Sequence, residues 1–370
     1  MLPTALVQVR RTCVKTEESV WSYFGGCDYF RLASDPRIKR AVSAAVLRFG
    51  TGVSASRKTT GNHPLYEELE ARLAAFFGAP AILTSNGYVT NLIVIQALRT
   101  RITHCLLDER AHPSLFDAAR MADCPRETFA HQNPQALARL LARLPRTAKP
   151  LVLTDGMFAY DGSIPPLDQY FARLPPEARL LVDDAHAAGV ISGGRGTPAL
   201  FSLPRQRVVQ TVTFSKAFGS FGGAILCNEE LRSLILEDSH HFTGSTPPPL
   251  PLAAGTIAAL GIISHQRQMH QRLARNVNRV RSALGLSSCD RERINPILAI
   301  YSDSRKQKER LRAALKRLGV YPSLIRYLGA PEAEFFRFAI SSQHSWRQLD
   351  QLVMAIKSVG ETPMIYTVIT

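Results

Sequence analysis

At 370 residues and 45% hydrophobic content, the chain is too long for one ordinary core and suits two lobes, or one large domain with a smaller one appended. No apolar run is long enough to cross a bilayer, and the short apolar stretch MLPTALV precedes its basic residues, the reverse of a secretory leader. A net charge of +15 and a pI near 9.9 admit nucleic acid as a partner, but Lys and Arg are spread without a polybasic tail, so a large anionic cosubstrate such as a phosphorylated thioester carrier fits equally well.

Residues 1–35 read as an N-terminal arm. Helical patterns such as YEELEARLAAFFG and NPQALARLLARL then alternate with apolar strand patterns at 81–85, 103–108, 150–155, 179–184, 208–214 and 223–227. This alternation predicts an α/β domain over 36–260, with a mainly parallel central sheet flanked by helices. Functional groups in such sheets gather outside the carboxyl ends of the strands. The proline-dense STPPPLPLAAG (245–255) marks a break, because prolines so close together do not fit inside a helix or a central strand. A long basic helical pattern at about 256–285, then INPILAIYSD, KQKERLRAALKRLG and FFRFAISS, predict a smaller α+β domain over 261–370. The six cysteines, Cys13, Cys27, Cys105, Cys124, Cys227 and Cys289, form no C-x-x-C pair. That pattern predicts a reduced, cytoplasmic protein and no structural zinc site.

The chemistry gathers at two predicted strand ends. Lys216 follows VVQTVTFS, where partial desolvation lowers a lysine's pKa and suits it to Schiff-base formation. Alone, such a lysine is more often a charged group snorkelling to solvent. Asp183 ends the preceding strand and suits a protonated pyridine nitrogen, and His186 reaches the same neighbourhood. Metal is disfavoured, since no other His or carboxylate cluster has ligand spacing. TSNGYVTN (84–91) reads as strand, tight turn at Gly87 and helix start, whose N–H groups suit an anion. Thr213 and Ser215 add hydroxyls on either side of the strand end. Together these residues describe a slot for pyridoxal 5'-phosphate.

The sequence resembles the α-oxoamine synthases, a family of fold-type I pyridoxal-phosphate enzymes. The resemblance spans roughly residues 22–355 and is carried by DPRIKRA, GNHPLYEELE, TSNGYVTN, DERAHPSLFDAA, DGMFAYDGSIPPL, VDDAHAAGVISGGRG, TFSKAFGSFGG and GSTPPP, in that order. It implies Lys216 as the Schiff-base lysine, Asp183 as the partner of the ring nitrogen, His186 as donor to the ring's phenolic oxygen and His112 as the stacking histidine. Asn86, Gly87, Tyr88, Thr213 and Ser215 fall on the cofactor's phosphate side. Thr246 falls where a residue reaches the phosphate of a neighbouring subunit, which implies a homodimer with shared active sites. Arg337 matches the arginine that grips the amino-acid carboxylate. The family pattern departs at three places. Cys27 stands for an asparagine that helps hold this carboxylate, Ala159 stands for a serine near the cofactor, and FRLAS replaces the usual LGL after Asp28-Tyr29.

The implied reaction condenses a small amino acid with an acyl thioester of coenzyme A or an acyl carrier protein, with decarboxylation, to an α-aminoketone. Overall length and motif spacing favour alanine with a pimeloyl thioester. The alternative is a glycine- or serine-using member of the same family. A basic nucleic-acid-binding protein on an inactive version of the fold rests on the charge alone.

Overall fold

The computed structural model describes residues 4–17, 19–302, 304–327, 330 and 334–359. The arm contains a small antiparallel sheet, β1 (Val7–Arg10), β2 (Cys13–Lys15) and β3 (Val20–Ser22). The central sheet follows: β4 (Ala81–Thr84), β5 (His104–Asp108), β6 (Arg126–Phe129), β7 (Pro150–Asp155), β8 (Arg179–Asp183), β9 (Val208–Thr213) and β10 (Gly223–Leu226), in the spatial order β4-β10-β9-β8-β7-β5-β6. β9, β8, β7, β5 and β6 are parallel, while β10 runs antiparallel to both neighbours. Residues 214–222 are too short for a helical crossover, so β10 must return antiparallel to β9.

β7 and β9 are buried along their whole length, because both faces of the sheet are covered. Leu151 and Leu153 of β7 pack with Ile93, Val94 and Leu181 on one face. Val152 packs with Leu106, Leu180 and Leu167 on the other. Three of the four β6 residues are exposed, so this edge strand carries no apolar run and the sequence pattern does not show it.

The proline-rich break is only partly a break. Helix Leu250–His265 begins inside it, with Pro251 in the first turn, where a missing N–H leaves no bond unmade. The expected boundary at 260 falls inside this helix. The basic helical pattern is two helices, since the backbone leaves helical geometry at Gln266 before Arg267–Ala283. A third, antiparallel sheet, β11 (Ile297–Ile300), β12 (Leu324–Ile325) and β13 (Phe335–Ala339), follows.

The arm is strung along this C-terminal unit. Ser22 N–H donates to Gly319 O at 2.8 Å, Ala339 N–H to Phe24 O at 2.6 Å and Ser342 N–H to Tyr29 O at 2.9 Å. The Asp28 carboxylate then accepts from Leu32 and Ala33 N–H at 2.9 and 3.0 Å, turning the chain beneath the loop that holds Lys216. Gly219 makes the contact possible. Its φ is 60°, its N–H closes a turn on the Lys216 carbonyl, and a Cβ there would run into the backbone nitrogen of Ala33. Gly219→Ala is expected to cost about 2 kcal/mol or more and to lower the thermal midpoint measurably. An unchanged melting curve would mean that the arm yields freely.

Candidate active site

A cavity of about 200 Å³ opens at the carboxyl ends of β7, β8 and β9. Asn86, Gly87, Tyr88, His112, Asp183, His186, Thr213, Ser215 and Lys216 all line it, so nine of the sequence-predicted residues converge on one volume. Thr246 is exposed and lies off this cavity. Cys27 and Arg337 are not in its lining but meet each other beside it, with Arg337 Nη2 at 3.5 Å from Cys27 Sγ.

The sheet register explains the central pair. Asp183 ends β8 opposite Thr211 of β9, so β9 carries Lys216 past its end into the space that Asp183 faces. Asp183 is fixed twice: Oδ2 accepts from Asn91 Nδ2 at 2.7 Å, and Oδ1 from Ala185 N–H at 3.1 Å. Burial lowers the pKa of the Lys216 ammonium, against the opposing pull of Cys27, Asp183 and Asp155.

Both histidines are held neutral. Burial, with Lys216 and Arg337 nearby, pushes His186 well below its ordinary value, and its Nδ1 lies 2.7 Å from the Tyr29 hydroxyl. Burial also lowers His112. His112 caps helix Pro113–Arg120 through Nδ1, which accepts from Ser114 N–H at 3.2 Å, and its own backbone N–H donates to Asp155 at 2.8 Å. Asp155 pairs in register with Asp183, and burial followed by repulsion from Asp183 raises its carboxyl well above the usual range.

The anion end is built around helix Gly87–Leu98. The Asn86 side chain accepts from Tyr88 and Val89 N–H at 3.0 and 3.1 Å, which leaves the Gly87 N–H without a partner in the capping set. A Cβ on Gly87 would sit 2.8 Å from Thr213 Cβ, so only glycine lets the helix start approach the Thr213 and Ser215 hydroxyls, themselves 2.9 Å apart. A polar helix start with two hydroxyls, an amine with lowered pKa and a fixed carboxylate suit the phosphate, aldehyde and ring nitrogen of pyridoxal phosphate in turn.

Three participants were not singled out from sequence: Asn91, Tyr29 and Asp155. Asn91 was the most findable, as a fully buried amide in a mostly apolar helix. Its Oδ1 accepts from Thr211 Oγ1 at 2.8 Å, and its Nδ2 donates to Ser114 Oγ at 2.9 Å as well as to Asp183. Asn91→Leu is expected to destabilise the protein by about 1–3 kcal/mol, because Asp183 and Thr211 lose buried partners. It should also slow turnover without a matching loss of substrate affinity. Chemical denaturation and the split between kcat and KM check both parts.

The sequence matches the family described as aminotransferase class I and II over residues 28–356. The chain belongs to the aminotransferase class I and II family. Among relatives, this family member is similar to an 8-amino-7-oxononanoate synthase of Chromohalobacter salexigens, at 34% identity over 89% of this chain and 87% of that protein. Among solved structures it is similar to serine palmitoyltransferase of Sphingomonas wittichii, with a TM-score of 0.88 and 25% identity over 96% of this chain and 92% of that one. The fold is also shared with 8-amino-7-oxononanoate synthase of Francisella tularensis, with a TM-score of 0.76 and 23% identity over 90% of this chain and 96% of that one. The fold-type I architecture expected from the sequence is the one these class I and II relatives share.

Proposed function

We propose that this chain is a pyridoxal-phosphate-dependent C-acyltransferase of the α-oxoamine synthase type, joining L-alanine to a pimeloyl thioester with loss of carbon dioxide, as in biotin biosynthesis. The observation that carries the reading is the convergence of Lys216, Asp183, His112 and His186 on one cavity in a chain one-third identical to named 8-amino-7-oxononanoate synthases.

Bound here, pyridoxal phosphate supplies an electron sink for negative charge on the substrate's α-carbon. The protein's residues do the rest. Asp183, fixed by Asn91 and Ala185, offers a carboxylate to a protonated ring nitrogen. Lys216 accepts the α-proton at Nζ, which its lowered pKa favours. Neutral His112 offers a flat face against the ring. His186, with Nδ1 engaged by Tyr29, has Nε2 left for the phenolic oxygen. Arg337 holds the amino-acid carboxylate. The working unit in this reading is a cytoplasmic homodimer. Exposed Thr246 serves the neighbouring subunit's phosphate, and the acyl group arrives on coenzyme A or a carrier protein.

The test is a titration of the cofactor's visible absorbance with L-alanine, glycine and L-serine, followed by turnover with short and long acyl thioesters. Alanine is expected to bind most tightly and to react with the pimeloyl thioester. The closer structural likeness to serine palmitoyltransferase favours one second reading, a serine-using synthase. Preference for serine with a long acyl chain would establish that reading instead.

A further inference from the structure

Arg337 is only 7% exposed, yet no carboxylate among the described residues forms an ion pair with it. Its Nε–H donates to Ala159 O at 2.7 Å, Nη1 reaches Gly26 O at 3.5 Å and Nη2 reaches Cys27 Sγ at 3.5 Å. A buried guanidinium without an anion is costly. Two ionisable groups touch it, and burial together with neighbouring Cys27 raises the Tyr29 hydroxyl well above its ordinary value. The sulfur is therefore the group placed to carry the balancing charge.

We propose that Cys27 and Arg337 form a thiolate–guanidinium pair that occupies the carboxylate-binding position of the resting protein. An entering carboxylate takes over the guanidinium while the sulfur takes one proton from solvent, so charge balances and no other bond changes. The second half rests on the reading of this cavity as an amino-acid site; the first half does not.

The charged and titratable groups facing the sulfur are Arg337 from β13, Lys216 from the turn after β9, Tyr23, Tyr29 and Arg31 from the arm, and Tyr327 after β12. Burial alone would raise the thiol. Arg337 and then Lys216 outweigh it and lower the thiol below its ordinary value. The sign for binding follows. Above the thiol's pKa a carboxylate must displace an anion, and below it the guanidinium is free, so carboxylate affinity falls as pH rises through that pKa. The family's asparagine at this position carries no such charge.

The experiment follows alkylation of Cys27 by iodoacetamide in the cofactor-loaded protein across pH, with the modified peptide mapped by mass; partial exposure of Cys27 gives the reagent access. The rate is expected to rise with a midpoint below the ordinary thiol value of about 8.5, and Arg337→Gln is expected to move that midpoint up. Sodium propionate, a carboxylate without an amino group, is expected to slow Cys27 alkylation several-fold, less so at higher pH. This arm needs no variant and stands if Arg337→Gln fails to fold. A wild-type midpoint at or above the ordinary value overturns the ion pair. A low midpoint with no slowing by propionate overturns the displacement. Neither result touches the absorbance titration that tests the proposed function.

Discussion

Lys216→Ala is expected to leave a folded protein whose turnover has fallen by several orders of magnitude. No other lysine lines the cavity, so no second amine stands ready to take the α-proton or to anchor the cofactor. The fold should tolerate the change. The turn after β9 is held by backbone groups, with Gly219 N–H on the Lys216 carbonyl and Ser220 N–H on the Phe214 carbonyl. Removing a buried amine also relieves its desolvation. Two measurements decide the matter: the visible band of the lysine-linked cofactor, which should disappear, and the thermal midpoint, which should stay near the parent's. A variant that kept the parent's spectrum and rate would remove Lys216 from the chemistry.

The second large effect is expected from Asp183→Asn. The cofactor should still bind, since the helix start at Gly87, the Thr213 and Ser215 hydroxyls and Lys216 are untouched. The rate of α-proton exchange on the bound amino acid should drop by several orders of magnitude, because a neutral amide cannot hold a pyridine nitrogen protonated. The new amide also meets a donor where it needs an acceptor, since Asn91 Nδ2 points at Oδ2 from 2.7 Å. A modest loss of stability should therefore accompany the kinetic one. Asp155 gives a further readout. Burial and then Asp183 hold its carboxyl high, so removing the Asp183 charge should bring it down. Exchange at the parent rate would show that the ring nitrogen is served elsewhere, with buried Asp184 the next group to examine.

Much of the central sheet was legible because its strands are buried on both faces. PLVLTD and VVQTVTF stand out as short runs rich in Leu, Val and Thr, and the structure places strands at Pro150–Asp155 and Val208–Thr213. β6 was not legible, since RETF lies at an edge and owes its pairing to its neighbour β5. The arm's small sheet was equally hidden: all four β1 residues are exposed and it buries little of its own. At the site, residues with distinctive chemistry at strand ends could be picked out from their surroundings. Asn91 and Tyr29 could not be given roles, because each acts through a partner far away in sequence. Asn91 reaches Asp183 across 92 positions, and Tyr29 reaches His186 across 157.

The arm's bonding has a consequence for synthesis. Ser22 is held by Gly319 and Tyr321, Phe24 by Ala339 and Tyr29 by Ser342, so residues made early find their seats only among residues made roughly 300 positions later. At ordinary translation rates that is an interval of roughly 15–60 s, during which the sheet can form while Tyr29 and Cys27 wait for the surface on which they come to rest. A ribosome that stalls before β13 therefore releases a chain that holds Lys216 and Asp183 but lacks Arg337 and the Ala339 and Ser342 backbone that holds Phe24 and Tyr29. The group that meets Cys27 thus belongs to the last section of chain to emerge, and on the proposed reading an incomplete product would carry the cofactor's lysine without the arginine for an amino acid.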